Sequence, residues 1–593
     1  MKKFSSLKLI LFLVILLAAF LRFYRLAEVP PSLFGDEVDV GYQAYSILKT
    51  GRDYMGQPWP ISFHSLAEWR TPLFIYGVVP FVWLFGLTEL GVRFLPALMG
   101  VLCIPAFYLL VKELFLFLHP KGVRSDTLRV SLGLLAALLL AISPWHLQYS
   151  RAGFEVTQML FLIILGVWGF LRGLKSGWWL VLGALCLGLA PYSYNTVKLF
   201  VPLLVGLLTI SYLGDLRALR KKYIGIALSV FVLVSLPLIY DIFWGQGGSR
   251  FSYLSIFNDP TTVPEIGFKR LEDLRVKLEE VPLGVAPTFS SRFFHNKFLS
   301  WGTVFLINYF RSFSTEFLFT QGDINLRHSV QGNFGQLYWL EVVFLVLGGF
   351  WVMREIRERR EMGGRLFLLG LLLLAPIPSA LTTGGGNHAT RLILMLPSLL
   401  ILVSLGIWGI WGSLSREAGG DKRKRIFLFL LFTFYFIFFT LYLHRYYVHW
   451  PLESEEWWHY GFKQLAAYVK ENENKYDYIV WSDKGEPPLI FASFWLKLNP
   501  QLIQKNKLEW TQISDAIWAY HLPGTRYYFG HISEERIKAN GLAGTLKPNI
   551  LYLAPEGEIG KDFRHEPVPG SIKLLETIYY PSGRIAKYIL SGL

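Results

Sequence analysis

The chain has 593 residues, of which 53% are hydrophobic, 16% aromatic and only 17% charged, and its mean hydropathy is +0.38. That balance excludes an ordinary soluble protein and indicates an integral membrane protein. The net charge of +15 does not indicate a nucleic-acid partner, because the basic residues gather in short stretches between apolar segments and not along one soluble face.

Crossing roughly 30 Å of hydrocarbon takes about 20 mostly apolar residues. The first such segment, residues 7–24, follows Met1-Lys2-Lys3 and meets the Arg22 to Arg25 flank without a small-residue cleavage site, so it reads as a retained anchor. Further spans are expected at 93–112, 129–147, 156–172, 177–191, 197–213, 223–241, 336–353, 366–381, 391–413 and 426–443. Cys103 and Cys186 both sit inside apolar runs, where a thiol behaves as a small hydrophobe, so neither a disulfide framework nor a metal cluster is indicated.

Orientation follows from the positive-inside rule applied to short loops. With the N-terminus in the cytoplasm, Lys121/Arg124/Arg129, Arg172/Lys175, Arg217/Arg220/Lys221/Lys222, Arg354/Arg357/Arg359/Arg360 and Arg416/Lys422/Arg423/Lys424/Arg425 all fall inside. Counting Pro72 to Leu87 as a span would turn every later basic loop outward, and its length and prolines fit a helix lying at the interface. The expectation is a mostly α, polytopic bundle of about eleven spans in the cell membrane, with its C-terminus outside.

The outer face then collects the polar residues that are costly near a membrane: Asp36, Glu37, Tyr42, Glu68, Arg70, Arg93, Arg151, Tyr192, Tyr194, Lys198, His388 and Arg391. Residues 1–445 form the membrane module, with outer loops 25–92 and 242–335, and residues 446–593 read as a small extracytoplasmic α/β domain. That tail opens on an amphipathic stretch, Ser454 to Glu471, and continues with strand-like runs at Tyr478 to Trp481, Arg526 to Phe529 and Asn549 to Leu553. It has no glycine-rich phosphate loop, metal spacing or nucleophile elbow, which favours an acceptor-binding or structural role. In the long loop, residues 297–313 are expected to form an amphipathic surface helix, with the Asp323 to His328 turn covering the active face.

Such a face suits a sugar carried on a polyprenyl phosphate. One carboxylate, Asp36 or Glu37, would accept the proton of an incoming hydroxyl. Arg70, Arg93, Arg151, Lys198, His388 and Arg391 are the cations available to hold the phosphate and stabilise its growing charge. Tyr42, Trp69, Tyr192 and Tyr194 would line the sugar and lipid path, and Glu68 stands beside it. No cofactor is required; Asp323, Asn325 and His328 are the residues a divalent metal would use.

The order of these pieces resembles the GT-C class of lipid-phosphate-sugar-dependent glycosyltransferases, in particular the branch of protein O-mannosyltransferases and lipid A aminoarabinose transferases. The matching residues are Phe34-Gly35-Asp36-Glu37 with Gly41-Tyr42, Arg70-Thr71-Pro72-Leu73, and Val92 to Ala97. They continue with Ser143-Pro144-Trp145-His146 and Arg151, Tyr192-Ser193-Tyr194, and Asn387 to Arg391 before Leu396-Pro397. The resemblance implies an inverting, mannosyltransferase-like enzyme with Asp36 as general base, Glu37 shaping the site, and Arg70 and Arg93 on the phosphate. Thr71-Pro72 replaces the family's usual two prolines, Trp69 separates Glu68 from Arg70, and residues 242–335 are too short for the β-trefoil of the eukaryotic enzymes. The acceptor group, a hydroxyl or a phosphate on a protein, lipid or glycan, stays open. So do two other readings: a ligase or polymerase of lipid-linked glycans, and a non-enzymatic lipid-sugar transporter, which should show related halves.

Overall fold

A computed structural model describes residues 2–65, 68–118, 126–275, 286–357, 362–414, 420–540, 542 and 544–593. Of the basic-loop residues, Lys121, Arg124, Arg359, Arg360 and Arg416 lie outside the described residues.

Every expected span coincides with helix. Among the described residues seven helices are long and apolar enough to cross a membrane, or eight if Thr127–Ile142 and Pro144–Ser150, bent by 58°, are one span. The bend falls at Ser143-Pro144, where proline ends the ladder of the first helix and opens the second while the Ser143 hydroxyl caps the His146 N–H. Trp179–Tyr192 and Val197–Ser211 are shorter apolar helices, and Glu341–Arg357 has 17 residues. Pro72–Phe85 is a 14-residue helix opening on Pro72. At 1.5 Å per residue it is about 21 Å long, short of the hydrocarbon thickness.

The helix running from Ala389 to Leu414 sits at the centre of the bundle, with 83% of its apolar window buried, whereas Lys221–Trp244 and Gly420–Glu453 lie at the periphery with 11% and 6% buried. The central helix is approached closely by Glu341–Arg357. A Cβ at Gly406 would stand 2.0 Å from the Phe344 carbonyl, and one at Gly348 would stand 2.0 Å from that of Leu402, so only glycine allows the two backbones to touch.

The chain beyond the last span builds a seven-stranded sheet in the order β4-β5-β6-β3-β7-β9-β8. The strands are β3 (Tyr478–Trp481), β4 (Glu509–Ser514), β5 (Ile517–His521), β6 (Tyr527–Ile532), β7 (Ile550–Pro555), β8 (Ile572–Tyr579) and β9 (Ile585–Gly592), numbered after a short hairpin of β1 (Phe63–His64) and β2 (Trp69–Arg70). β3 is parallel to both neighbours, β6 and β7, and the remaining pairs are antiparallel. The amphipathic stretch forms a shorter helix than expected, Phe462–Asn472, because Gly461 adopts a left-handed φ of 106° immediately before it. The Lys297–Arg311 helix forms as expected, started by the Asn296 side chain accepting from the Leu299 N–H.

One apolar core fills the helical bundle. A second is shared: Val38, Tyr42 and Val78 from the first outer loop pack in it with Trp481, Phe491 and Phe494 from the tail. Gly41 marks the closest approach, since a Cβ there would lie 2.5 Å from the Phe494 ring. The first outer loop is therefore seated directly on the sheet domain, and this seating positions the site.

Candidate active site

The Gly35–Thr50 helix presents the acidic pair in its first turn, where carboxylates are favoured by the helix dipole, and it ends at Gly51 in the left-handed conformation with φ 67°. The two acids face opposite surroundings. Glu37 is wholly buried: its carboxylate takes two bonds from Arg93, at 2.8 and 3.0 Å, and accepts the Gly153 N–H at 2.7 Å and the Phe34 N–H at 3.3 Å. Arg93, also wholly buried, gives its remaining donors to the carbonyls of Pro30, at 2.9 Å, and Ser32. Arg151 donates to the carbonyls of Leu21, Arg22, Tyr24 and Val29 and to the Tyr446 hydroxyl. In this arrangement Glu37, Arg93 and Arg151 hold the 24–34 turn in place, with their bonding capacity directed inward.

Asp36 is different, with its side chain half-exposed. Its carboxylate meets Arg70 Nη2 at 2.8 Å, while Arg70 Nε lies 2.6 Å from Asp39 and Nη2 lies 3.4 Å from Glu68. Loss of part of its water would raise the Asp36 carboxyl, but Arg70, with help from Arg250 and Arg327, outweighs this and holds the group below its ordinary value. Asp39 is the reverse case: burial pushes its carboxyl up against the pull of Arg70, and it accepts from the Tyr54 hydroxyl at 2.7 Å. Arg70 reaches this position because β1 and β2 form a hairpin that turns its side chain back over the start of the helix.

Glu68 also pairs with Arg250 at 3.0 Å, and Arg250 is one of three cations lining a cavity of about 280 Å³. Lys198 and Arg391 are the others, joined by Tyr194, Phe251, Leu254 and Pro378. Lys198 Nζ bonds the Gly247 carbonyl at 2.7 Å, and Arg391 bonds the Thr382 hydroxyl at 2.6 Å and the Thr383 carbonyl at 3.1 Å. A chain of ionic contacts thus runs from Asp36 through Arg70, Glu68 and Arg250 into a mostly apolar hollow carrying three positive charges. Lipid would suit its walls and a phosphate its cations.

Of the residues singled out in the sequence, the structure brings Asp36, Glu68, Arg70, Tyr194, Lys198 and Arg391 to this site. Tyr42 and Tyr192 are elsewhere. The Tyr42 hydroxyl donates to the Leu498 carbonyl at the seam with the sheet domain. The Tyr192 hydroxyl is inserted into the Lys221–Trp244 helix beside Pro237, donating to the Val234 carbonyl at 2.7 Å and accepting the Leu238 N–H at 3.1 Å. His388 joins Asp323 and His328 in a group whose ligand atoms lie within 4.8 Å of one another. Asp323 accepts from His328 Nδ1 and from the Ala389 N–H, both at 2.9 Å, and His388 Nδ1 is buried without a partner among the described residues. Burial, then Arg391, hold the His388 imidazole well below its usual value, so it is neutral and fit to ligate a divalent cation. Asn325 instead serves the turn, accepting the Arg327 N–H at 2.9 Å.

Sequence reasoning missed Asp39, Arg250 and Arg327. Asp39 was detectable, since it follows Asp36 by three on one helix and must share its face. Arg250 and Arg327 stand in the long loop with no local pattern to mark them.

No protein-family model matches the chain, and no curated protein matches it in sequence. Among solved structures, the chain superposes on ArnT from Cupriavidus metallidurans bound to undecaprenyl phosphate with a TM-score of 0.50 at 11% identity, covering 99% of this chain and 98% of that one. The fold is that of a GT-C glycosyltransferase. The archaeal oligosaccharyltransferase of Archaeoglobus fulgidus aligns at TM-score 0.49 and 14% identity over 82% of this chain, which spans 63% of its length. The yeast Pmt1-Pmt2 protein O-mannosyltransferase complex bound to its sugar donor aligns over 42% of this chain and 36% of its own, at TM-score 0.30 and 20% identity. In this GT-C frame the ionic chain from Asp36 to Arg250 lies between the first outer loop and the segment following the Lys221–Trp244 helix.

Proposed function

We propose that the protein is a membrane glycosyltransferase that moves a single sugar, hexose or pentose, from a polyprenyl-phosphate donor to an acceptor hydroxyl on the extracytoplasmic face. The observation that carries this reading is the continuous run of charge contacts joining a half-exposed carboxylate, Asp36, to a mostly apolar hollow holding Lys198, Arg250 and Arg391. The ArnT structure that shares the fold carries undecaprenyl phosphate, which is consistent with a polyprenyl carrier here. The N-terminus is assigned to the cytoplasm and the site to the outer surface of the cell membrane.

The acceptor oxygen attacks the anomeric carbon and passes its proton to Asp36, while the bond from that carbon to the phosphate oxygen breaks and its electron pair leaves with the polyprenyl phosphate. Configuration inverts, because base and leaving group act on opposite faces of the sugar. Arg70 keeps Asp36 ionised and aimed. Arg250 and Arg391 offer planar forks to the phosphate and Lys198 a point charge, stabilising the negative charge as it grows. These side chains belong to the chain itself; Asp323, His328 and His388 form the group that would hold a divalent cation. The test is reconstitution of purified protein with a panel of polyprenyl-phosphate sugars, comparing wild type with Asp36→Asn. Transfer should fall by about two to four orders of magnitude with donor binding retained, the usual worth of a positioned base. Undiminished turnover in the variant would remove Asp36 as the base.

A further inference from the structure

The sheet domain carries a groove separate from the cavity of Lys198, Arg250 and Arg391. It consists of two adjoining hollows of about 440 and 480 Å³ that share Glu456, Pro555, Tyr580 and Lys587 as common walls. The inner hollow is also lined by Arg327, Trp457, His459, Tyr460 and Glu486.

Its position is set by the sheet. Lys484 to Glu486 follow β3, and Pro555 ends β7, so the groove opens at the carboxyl ends of two parallel strands. From β3 the chain passes to β6 on one side and later to β7 on the other, which makes β3 the point where strand order reverses. Open α/β sheets bind ligands in the crevice at that point.

Its inner end abuts the catalytic loop. His459 Nδ1 accepts the Gly35 N–H at 3.2 Å, one residue before Asp36, and its Nε2 pairs with Glu486 at 3.0 Å. Arg327 stacks between Phe34 and Trp457, at 5.0 and 5.5 Å, and it and Glu486 both lie within electrostatic reach of Asp36.

The chemistry of the walls selects the occupant. An acyl chain needs continuous apolar walls, and here carboxylates and amines alternate with aromatic faces. An anionic acceptor needs a clear surplus of cations, but Arg327, Lys484, Arg564, Arg584 and Lys587 stand among Glu456, Glu486, Glu556 and Asp562, and Arg564 and Arg584 are already paired, the latter with Glu455 and Glu456. A peptide adding as a strand would need an open sheet edge, while the strands that line the groove, β7 with Pro555 and β9 with Ile585 to Lys587, are interior strands of the sheet. Aromatic faces for sugar rings, with flanking carboxylates and amines for hydroxyls, fit a neutral polyhydroxylated chain.

We propose that this groove binds the acceptor, and that the acceptor is a neutral oligosaccharide whose terminal hydroxyl is delivered to Asp36. The assignment rests on the transferase reading above, extending it from donor to acceptor. In the transfer the hydroxyl oxygen forms the new glycosidic bond, its proton goes to Asp36, and polyprenyl phosphate departs with the bonding pair.

The test uses the full-length protein and a panel of neutral oligosaccharides of increasing length, alongside hydroxyl-bearing peptides and lipid alcohols. Binding is followed by calorimetry without donor and transfer with it, in wild type, Trp457→Ala, Glu486→Gln and Asp36→Asn. Expected are binding of a neutral oligosaccharide by wild type, a rise of tenfold or more in its Kd and acceptor KM in the two groove variants, and retained binding with lost transfer in Asp36→Asn. Oligosaccharide binding without any sugar transfer would sink the transferase reading and leave the groove standing. Equal binding and KM in the groove variants, or acceptance of only a peptide or lipid, would overturn the groove assignment while transfer itself stood.

Discussion

At the scale of single residues, adjacent acids have been given opposite work by their surroundings. Glu37 lies wholly buried against Arg93, and removing one member of such a pair strands the other charge in a medium that cannot solvate it. Glu37→Gln or Arg93→Ala should therefore destabilise the protein by about 3–5 kcal/mol, read as a fall in melting temperature in detergent. Arg250→Ala should leave the melting temperature nearly unchanged and raise donor KM; equal effects of the two changes on stability would contradict this division. Asp36 gives a pH prediction. Its carboxyl is held below the ordinary value, so as a base it stays ionised down through the usual carboxylate range, near pH 3.9 for a free group. The acid limb of the transfer rate should accordingly lie below that range, and the stabilising contact with Arg70, present above it, should be lost as pH falls through the lowered value. An acid limb near pH 6 in the kcat/KM profile would point to another base.

Among elements, the helices do more than span. The Lys221–Trp244 helix carries Pro237 in its interior, and the Tyr192 hydroxyl fills the gap in its ladder. The last turn of this helix supplies Ile242 and the chain leaving it Gly247, Gly248 and Arg250 to the cavity wall, so its direction sets the cavity. Tyr192→Phe removes the inserted donor and acceptor, a loss of about 1–3 kcal/mol. Donor KM should rise several-fold with kcat little changed, measured by steady-state transfer kinetics; an unchanged KM would mean that the helix holds its course without the hydroxyl. Much of this level was legible in advance. The spans were readable because apolar runs of the required length leave few alternatives, and the Lys297–Arg311 helix carries its own cap, whereas the expected span 129–147 is broken at Ser143-Pro144, which hydropathy alone reads through. The short Phe462–Asn472 helix was overestimated because a left-handed Gly461 interrupts a pattern that periodicity alone reads as continuous. β4, β5, β8 and β9 carried mixed polar and apolar runs whose pairing depends on partners distant in sequence.

For the whole molecule, the decisive feature is the core shared between the first outer loop and the tail. A chain ended near residue 460 would lose Trp481, Phe491 and Phe494 from around Val38 and Tyr42, and with them the support of the helix that carries Asp36. Such a truncation should fail to bind donor and should elute as aggregate in size-exclusion chromatography. A monodisperse truncated protein with normal donor affinity would show that the membrane module stands alone. The sequence by itself determined the membrane class and the positions of the apolar helices, and it singled out Asp36 and Arg70 as candidates, because hydropathy, charge and short motifs are local properties. Only the tertiary structure separated Asp36 from Glu37, drew Arg250 into the cavity with Lys198 and Arg391, and grouped His388 with Asp323 and His328, since each of these depends on which distant groups a side chain meets, and burial and pairing, not identity, decide what a charge can do.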